Sequence, residues 1–367
     1  MLSHNPETSS ANLVGMNLPN EPNISRNPHK SKPLSHSGTT PLKPKPHTHR
    51  AATYNASMAL RNLILPAVCA AALIPCLLSQ KTDVKRPPIL GVAHLALKTN
   101  DLAAARAFYG HDLGFQEPFA GSAAGASAPA IFKVNDHQYI EVFPGLKDDS
   151  EDRLAHICFE TTNARQLRDY LAAHGVTVPD SLKKDADGDY SFMVADPENR
   201  SIEFVEYLPG SLRSRNFGKS LPATRISERI IHAGFIVQDP FAENRFYDAI
   251  LGYHETWHGG MQDNRTEWVD MRVPNGPDWL EYMLNHPNPS PATRGVMNHL
   301  ALGSPDVNAS YKTLQDRGVV APRMPEPPKI GRDGKRQLNL YDPNLTRVEI
   351  MEPKPVGVVC CSTILDH

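Results

Sequence analysis

The sequence predicts an α+β protein in which one structural unit occurs four times. Four alternating apolar stretches each contain one histidine, and these histidines are 62, 76 and 67 residues apart. The first and third stretches precede helical segments that end in the same Phe-Tyr and Leu-Gly signature, and an Asp-Pro pair recurs late in the second and fourth units. Each unit is therefore predicted to be a strand, a helix and several short strands.

The N-terminal region is predicted to lie outside these units. Residues 1–57 are rich in proline and polar side chains and have no apolar periodicity, so they are predicted to be a disordered leader or to precede the true start at Met58. Residues 58–80 have the layout of a signal peptide or anchor, with Arg61 before the apolar run 63–78. We expect a secreted or periplasmic protein, which 63–78 could anchor to a membrane, and a cytoplasmic one if this segment is not a signal.

The four units group into two copies of a two-unit block. The first predicted domain covers residues 89–208 and the second covers 227–353, with a linker over 209–226 and a tail over 354–367. The glycine of the Leu-Gly signature is typical of a helix end. The signatures that define the register of the copies are Phe108-Tyr109 with Leu113-Gly114, Phe246-Tyr247 with Leu251-Gly252, and the turns Asp196-Pro197 and Asp342-Pro343.

Each unit places one histidine on its first strand and one glutamate on its last strand, 47, 47, 49 and 50 residues later. Period-2 alternation predicts that Val92, His94 and Ala96 share the sheet face that points away from the helix, and that Ala93 lies on the helix side. Two units that face each other would supply two imidazoles and two carboxylates to one enclosed space, which suits a six-coordinate divalent metal. The candidate ligands are His94, Glu141, His156, Glu203, His232, Glu281, His299 and Glu349.

These repeated motifs resemble the vicinal oxygen chelate superfamily of glyoxalase I, bleomycin and fosfomycin resistance proteins and extradiol dioxygenases. The resemblance covers about residues 89–353. It implies four βαβββ units that pair into two incompletely closed β-barrels, each around a metal, with ligands at the eight positions named above. We expect the first unit to pair with the second and the third with the fourth; exchange of partners between the two halves is the alternative, and it leaves the same donors at each site.

The resemblance implies a divalent-metal enzyme, with Fe, Mn, Ni, Co or Zn, that acts on a small oxygen-chelating molecule. Sets of two histidines and two glutamates look most like bacterial-type glyoxalase I, a lyase or isomerase that abstracts a proton and stabilises an enediolate. Glu203 or Glu349 would be the catalytic base. The alternatives are an Fe(II) extradiol ring-cleaving dioxygenase, which uses two histidines and one glutamate, and a non-catalytic ligand-binding protein of the bleomycin-resistance type.

The net charge argues against a nucleic-acid partner, and side chains near the candidate ligands add two further expectations. The chain has 38 basic and 40 acidic residues and a formal charge of -2, so it has no excess basic charge for a nucleic-acid partner. Tyr139 and Trp279 lie two residues before Glu141 and Glu281 and should face the same space, where they could stack on a substrate or pack in the core. Cys158 is predicted to be a small core residue.

Overall fold

The structure is a computed structural model that describes residues 84–119 and 128–365. The predicted leader 1–57 and signal segment 58–80 lie outside the described residues. Within the described ranges, no helix has the length and apolar character needed to cross a membrane.

Two curved sheets form the framework of the described chain. The first has seven strands in the order β2-β3-β1-β4-β7-β6-β5, and the second has eight in the order β13-β14-β15-β12-β8-β11-β10-β9. The strands are β1 (Ile89–Thr99), β2 (Ala130–Lys133), β3 (Tyr139–Pro144), β4 (Leu154–Thr161), β5 (Lys183–Lys184), β6 (Tyr190–Ala195), β7 (Ser201–Glu206), β8 (Arg229–Ile236), β9 (His254–Gly259), β10 (Trp268–Arg272), β11 (Trp279–Met283), β12 (His299–Gly303), β13 (Lys329–Ile330), β14 (Arg336–Tyr341) and β15 (Arg347–Met351).

The helices are short, and two of them continue as wider π-helical turns. The helices are α1 (Leu102–Ala105) followed by the π-helical turn Arg106–Asp112, α2 (Ala164–Ala173), α3 (Leu212–Arg215), α4 (Pro240–Asn244) followed by the π-helical turn Arg245–Ile250, α5 (Pro291–Met297) and α6 (Val307–Asp316).

The strand order shows how the units pair. At the centre of the first sheet, β1 of the first unit runs antiparallel to β4 of the second, and each is flanked by the parallel last strand of its own unit, β3 or β7. The second sheet repeats this arrangement with β8, β12, β11 and β15. The four βαβββ units therefore form two curved barrels, the first unit with the second and the third with the fourth. The limits of the two domains in the sequence stay predictions.

The faces of the strands follow the predicted alternation except at an irregularity of β1 that recurs in β8, where Ile230 lies in the helix-side core and Ile231 on the concave face. The neighbours of Glu141, Ile140 and Val142, are buried in the apolar core on the helix side, so the glutamate points to the opposite, concave face. In β1, however, the pairing with β4 shifts between Val92 and His94. This irregularity turns Val92 into the helix-side core and Ala93 to the concave face, which reverses the prediction for these two residues.

The helix-ending signatures form the π-helical turns. Gly114 and Gly252 follow these turns with φ of 79° and 77°, a left-handed conformation that favours glycine, as the sequence predicted. The turns bury Tyr109 and Tyr247 completely.

These tyrosines connect the two barrels. Tyr109 of the first unit donates a hydrogen bond to Asp342 Oδ2 of the fourth at 3.0 Å, and Tyr247 of the third donates to Asp196 Oδ2 of the second at 3.2 Å. The other oxygen of each aspartate accepts backbone N–H groups of its own Asp-Pro turn, such as that of Thr346 at 2.8 Å. Burial raises the pKa of Asp342 to about 6. The two repeated signatures thus meet across the interface, one from each barrel.

The segments outside the barrels are also ordered where the structure describes them. The predicted linker contains α3, which reaches into the first barrel. The tail packs on β9, where Leu365 donates its backbone N–H to Thr256 O at 2.9 Å. Cys360 and Cys361, which are adjacent in the sequence, form a disulfide bond in this tail.

Candidate metal centres

The first barrel brings three predicted ligands into a compact group on its concave face. His94 Nε2 and His156 Nε2 are 2.9 Å apart, and Glu203 Oε2 lies 3.1 Å from each of them. His94 lies on the first strand of one unit, and His156 and Glu203 lie on the first and last strands of the other. The antiparallel pairing of β1 with β4 is what places the two imidazoles side by side.

These separations fit a metal. Two ligand atoms about 2.0–2.1 Å from one ion, at a right angle to each other, lie about 3 Å apart. The three atoms of His94, His156 and Glu203 form a nearly equilateral triangle of this size. The chain therefore has His and Glu groups able to bind a divalent metal. The role of each residue as a ligand stays a prediction.

The second barrel repeats the group with longer distances. His232 Nε2 lies 3.0 Å from His299 Nε2, and Glu349 Oε2 is 3.3 Å from the first imidazole and 3.8 Å from the second. Here the fourth predicted ligand also joins the group, because Glu281 Oε2 is 3.4 Å from His299 Nε2. All four side chains are buried or nearly so.

The fourth donor of the first barrel is held differently. Arg213, from the predicted linker, donates from Nη2 to Glu141 Oε1 at 2.5 Å and also lies 3.3 Å from Asp187. The nearest imidazole nitrogen that forms an ion pair with Glu141 is His94 Nδ1, at 3.7 Å, on the opposite side of the ring from Nε2. Glu141 is thus bound to a guanidinium while it also offers a ligand atom within 4.8 Å of those of His94 and His156, and the tightest donor group of this barrel is His94, His156 and Glu203.

A different arginine lies in the second centre. Arg347, two residues before Glu349 on β15, places Nη2 2.8 Å from His299 Nε2 and 3.8 Å from Glu281 Oε2. His299 Nδ1 is 2.9 Å from the carbonyl oxygen of Met297, which accepts the proton on that nitrogen. Arg347 Nη2 is also 2.9 Å from His299 Nδ1, so the guanidinium lies over the face of the imidazole.

Glycine makes room for His299. A Cβ added to Gly234 would lie 1.9 Å from His299 Cε1, so the imidazole packs against the bare backbone of β8. The equivalent residue in the first barrel is Ala96, which pairs with His156 in register. The position equivalent to Arg347 is Ser201, two residues before Glu203. The two centres therefore share their donors but differ at both positions that contact the second histidine.

The carboxylates respond to these neighbours. Burial alone would raise the pKa of Glu203, but its hydrogen bonds with His156 and His94 hold the pKa well below its usual range. Burial would likewise raise the pKa of Glu349, but its charged and hydrogen-bonded neighbours, His232 first among them, lower it. Burial raises the pKa of Glu281 to about 7, since its favourable neighbours compensate only in part.

Each centre also has an aromatic ring covered by a cation. In the first barrel, Arg213 lies over the Tyr139 ring at 4.5 Å. In the second, Lys335 Nζ lies 4.6 Å from the Trp279 ring centre and contacts Asp333 and Asp270 at 2.9 and 3.5 Å. The prediction that both aromatic residues face the concave side is confirmed by these contacts, and their rings pack against cations of the protein.

The two centres differ in the space beside them. A cavity of about 1020 Å³ adjoins the second barrel and includes Ile231, Asp270, Trp279 and Lys335 in its wall. Trp279 is the wall residue that packs on the donor group, with its ring centre 5.0 Å from that of His232, and none of the four donors lines the cavity. A smaller cavity of about 220 Å³ adjoins the first barrel.

The wall of this smaller cavity includes His156 and Ser201 together with Arg294. Cys158 is buried in a small apolar cluster on the concave face of the first barrel, with Ala93 and Val205. Burial raises the pKa of its thiol well above the usual value, which agrees with the predicted core role.

Sequence reasoning named all eight donors but none of the cations around them. Arg347 could have been found, because it lies on the same strand face as Glu349 by the alternation that located Trp279. Arg213 and Lys335 come from segments without a strand pattern of that kind, so no local periodicity indicated that they lie beside the donors.

Comparison with known proteins agrees with this architecture. The family model described as the Glyoxalase/Bleomycin resistance protein/Dioxygenase superfamily matches residues 91–204 and 229–350. The chain belongs to this superfamily. A search of curated proteins finds no match.

Solved structures of similar fold include both enzyme types that the sequence suggested. The anaerobic substrate complex of homoprotocatechuate 2,3-dioxygenase from Brevibacterium fuscum, with 3,4-dihydroxyphenylacetate, has 19% identity and a TM-score of 0.54 over 74% of this chain and 82% of that one. The Mn(II)-bound glyoxalase from Novosphingobium aromaticivorans has 16% identity and a TM-score of 0.56 over 75% and 86%. At these identities the likeness concerns the fold alone.

Proposed function

We propose that the chain is a divalent-metal lyase or isomerase whose second barrel abstracts a proton next to a carbonyl of a small substrate with two adjacent oxygens. The observation that carries this proposal is the four-donor group of His232, Glu281, His299 and Glu349, which has a cavity of about 1020 Å³ beside it. Two carboxylates in one centre allow one to hold the metal while the other moves a proton.

The geometry supports a division of labour among these donors. His232, His299 and Glu349 would hold the ion, because Glu349 Oε2 lies within 3.8 Å of both imidazoles, as Glu203 does in the first barrel. A bound divalent cation would polarise the carbonyl and align the adjacent oxygens. Glu281, whose pKa burial raises to about 7, would accept the proton. This differs from the sequence prediction of Glu203 or Glu349 as the base, which stays a prediction.

The surrounding residues would exclude water and orient the substrate. Trp279 forms the wall between the cavity and His232, so an approaching substrate would contact its indole ring. Lys335 neutralises part of the charge of Asp270 and Asp333, which keeps the wall close to charge balance.

The test combines metal analysis with activity. Elemental analysis of the purified protein establishes which metal is bound, and turnover is then measured on thiol adducts of 2-oxoaldehydes. Glu281→Gln should keep the metal and lose activity by on the order of a hundredfold, the usual scale for a general base. Glu349→Gln should lose the metal of the second barrel and the activity. Glu141→Gln is the matched control in the first barrel and should leave turnover unchanged.

The outcomes separate the roles. A Glu281→Gln variant with full turnover would exclude Glu281 as the base. A Glu349→Gln variant with full metal content and full turnover would exclude Glu349 as a ligand. The first barrel, with Glu203, would then be the candidate active site. Metal-free wild-type protein that binds an aromatic ligand with unchanged affinity in both variants would support the non-catalytic alternative.

A second candidate function is favoured by the first barrel. Because Arg213 binds Glu141, the remaining donors His94, His156 and Glu203 have the composition of the two-histidine, one-carboxylate triad of Fe(II) oxygenases, which leaves open positions on the metal. Oxygen uptake with catechols by iron-loaded protein, abolished by Glu203→Gln and retained in Glu281→Gln, would establish a ring-cleaving dioxygenase instead.

A further inference from the structure

The second centre contains a competitor for its own metal. Arg347 Nη2 lies 2.8 Å from His299 Nε2, which is hydrogen-bond distance, and a guanidinium can only donate. The proton of His299 lies on the other ring nitrogen, which faces the carbonyl of Met297 at 2.9 Å. The same Nη2 is also 2.9 Å from Nδ1, so the guanidinium lies over the face of the imidazole, and it competes with a metal through its charge.

The first centre has no such competitor among the described residues. Ser201 occupies the equivalent position, and its short side chain cannot bridge the distance that the guanidinium covers. His156 Nε2 instead faces His94 Nε2 at 2.9 Å and Glu203 Oε2 at 3.1 Å. Its lone pair points to the space between the donors.

The charge of Arg347 opposes a metal in the second centre. The guanidinium is permanently positive, and a cation bound between His299 and Glu281 would lie within a few ångströms of it, in a buried site where repulsion is weakly screened. Arg213 in the first barrel is also positive, but it is paired with Glu141 and Asp187, so its charge is compensated.

From these contacts we propose that Arg347 sets the metal affinity of the second centre. The first centre fills at low metal concentration. The second binds its metal against the repulsion of the guanidinium, so its dissociation constant is higher by at least about tenfold, the scale on which groups that contact ligands tune metal sites. This inference rests on the proposed function, because it requires the second donor group to bind a divalent cation.

The test is a titration of the metal-free full-length chain with Mn²⁺, in which electron paramagnetic resonance counts the free ion. Wild-type protein should show one tight and one weak step. Arg347→Ser, which copies the first barrel, should strengthen the weak step by about tenfold or more and leave the tight step unchanged. Ser201→Arg, the reciprocal change, should weaken the tight step by a similar factor.

A further variant separates competition from packing. Arg347→Met keeps an apolar chain over His299 but has neither the charge nor the donor, so it should behave as Arg347→Ser does. Circular dichroism checks that each variant folds. Two steps whose constants do not change in either Arg347 variant would overturn the inference and leave the proposed function intact. Absence of Mn²⁺ binding in wild type and in both variants would overturn the two together.

Discussion

In the first barrel a guanidinium binds a carboxylate, whereas in the second a guanidinium binds an imidazole. Arg213 holds Glu141 at 2.5 Å, so one of the four donors of the first group is paired with a cation. Arg347 leaves both glutamates of the second group near the imidazoles and lies over the ring of His299, 2.8 and 2.9 Å from its two nitrogens. The two copies have kept their histidines and glutamates and differ in the cations that contact them. The position of an arginine can thus decide how many ligands an otherwise repeated site offers.

Removal of ligands from one barrel at a time tests this comparison most directly. With both groups intact we expect about two divalent metals per chain at saturating metal. The double variant His156→Ala with Glu203→Ala should lose the first of them, and His299→Ala with Glu349→Ala should lose the second. Elemental analysis of dialysed protein gives the number. Metal content that is unchanged in either double variant would remove that barrel from the assignment.

The glycine beneath His299 offers a more local test. Gly234→Ala would place a methyl group 1.9 Å from His299 Cε1, so the ring must move and the second metal should bind more weakly. Overpacking of this kind costs about 1–3 kcal/mol of unfolding free energy. Chemical denaturation measures the cost, and metal titration measures the affinity.

The matched control is the reverse exchange, alanine to glycine, at the equivalent position of the first barrel. Ala96→Gly in the first barrel should cost only about 0.5–1 kcal/mol, the usual price of glycine in a strand, and should leave both metals bound. Equal effects of Gly234→Ala and Ala96→Gly on the second metal would contradict the role given to the packing of His299.

The same strands show which side-chain positions could be predicted from the sequence and which could not. Alternation placed every glutamate correctly, because apolar neighbours on both sides, such as Ile202 and Phe204 around Glu203, must face the helix-side core. It failed for Val92 and Ala93, since an irregularity of strand pairing depends on the partner strand and leaves no local pattern.

The cations were harder to predict for a related reason. Arg213 reaches Glu141 across 72 residues of sequence, from a short helix inside a segment that looked like a linker. Long-range contacts of one flexible side chain have no periodicity, so only the folded chain reveals them. The crossed tyrosine contacts were missed in the same way, although both partners had been recognised as repeated signatures.

The two crossed hydrogen bonds should differ in strength. Tyr109→Phe removes the donor to Asp342 Oδ2 and should lower the unfolding free energy by about 1–2 kcal/mol. Tyr247→Phe should cost less, about 0.5–1 kcal/mol, because Asp196 Oδ2 also accepts from Arg200 Nε at 2.6 Å. Denaturation curves of the two variants decide the order, and a larger loss in Tyr247→Phe would contradict it.

The smallest expected difference lies in the Asp-Pro turns. Asn199 and Leu345 occupy equivalent positions with φ of 62° and 63°, a conformation that asparagine tolerates better than leucine. Leu345→Asn should therefore stabilise the protein by about 0.5–1 kcal/mol. Thermal unfolding measures the gain. A lower melting temperature would show that packing of the Leu345 side chain outweighs its backbone conformation.

The crossed contacts of Tyr109 with Asp342 and of Tyr247 with Asp196 have the form of an isologous interface. In a twofold-symmetric dimer, a residue of one subunit binds a residue of the other, and the reverse contact occurs by symmetry. Here the same rule holds within one chain, with each barrel in the place of a subunit. The interface therefore has the pattern of a homodimer interface within one chain. Unlike the subunits of such a dimer, the two halves can differ in sequence, and their donor groups are contacted by different arginines.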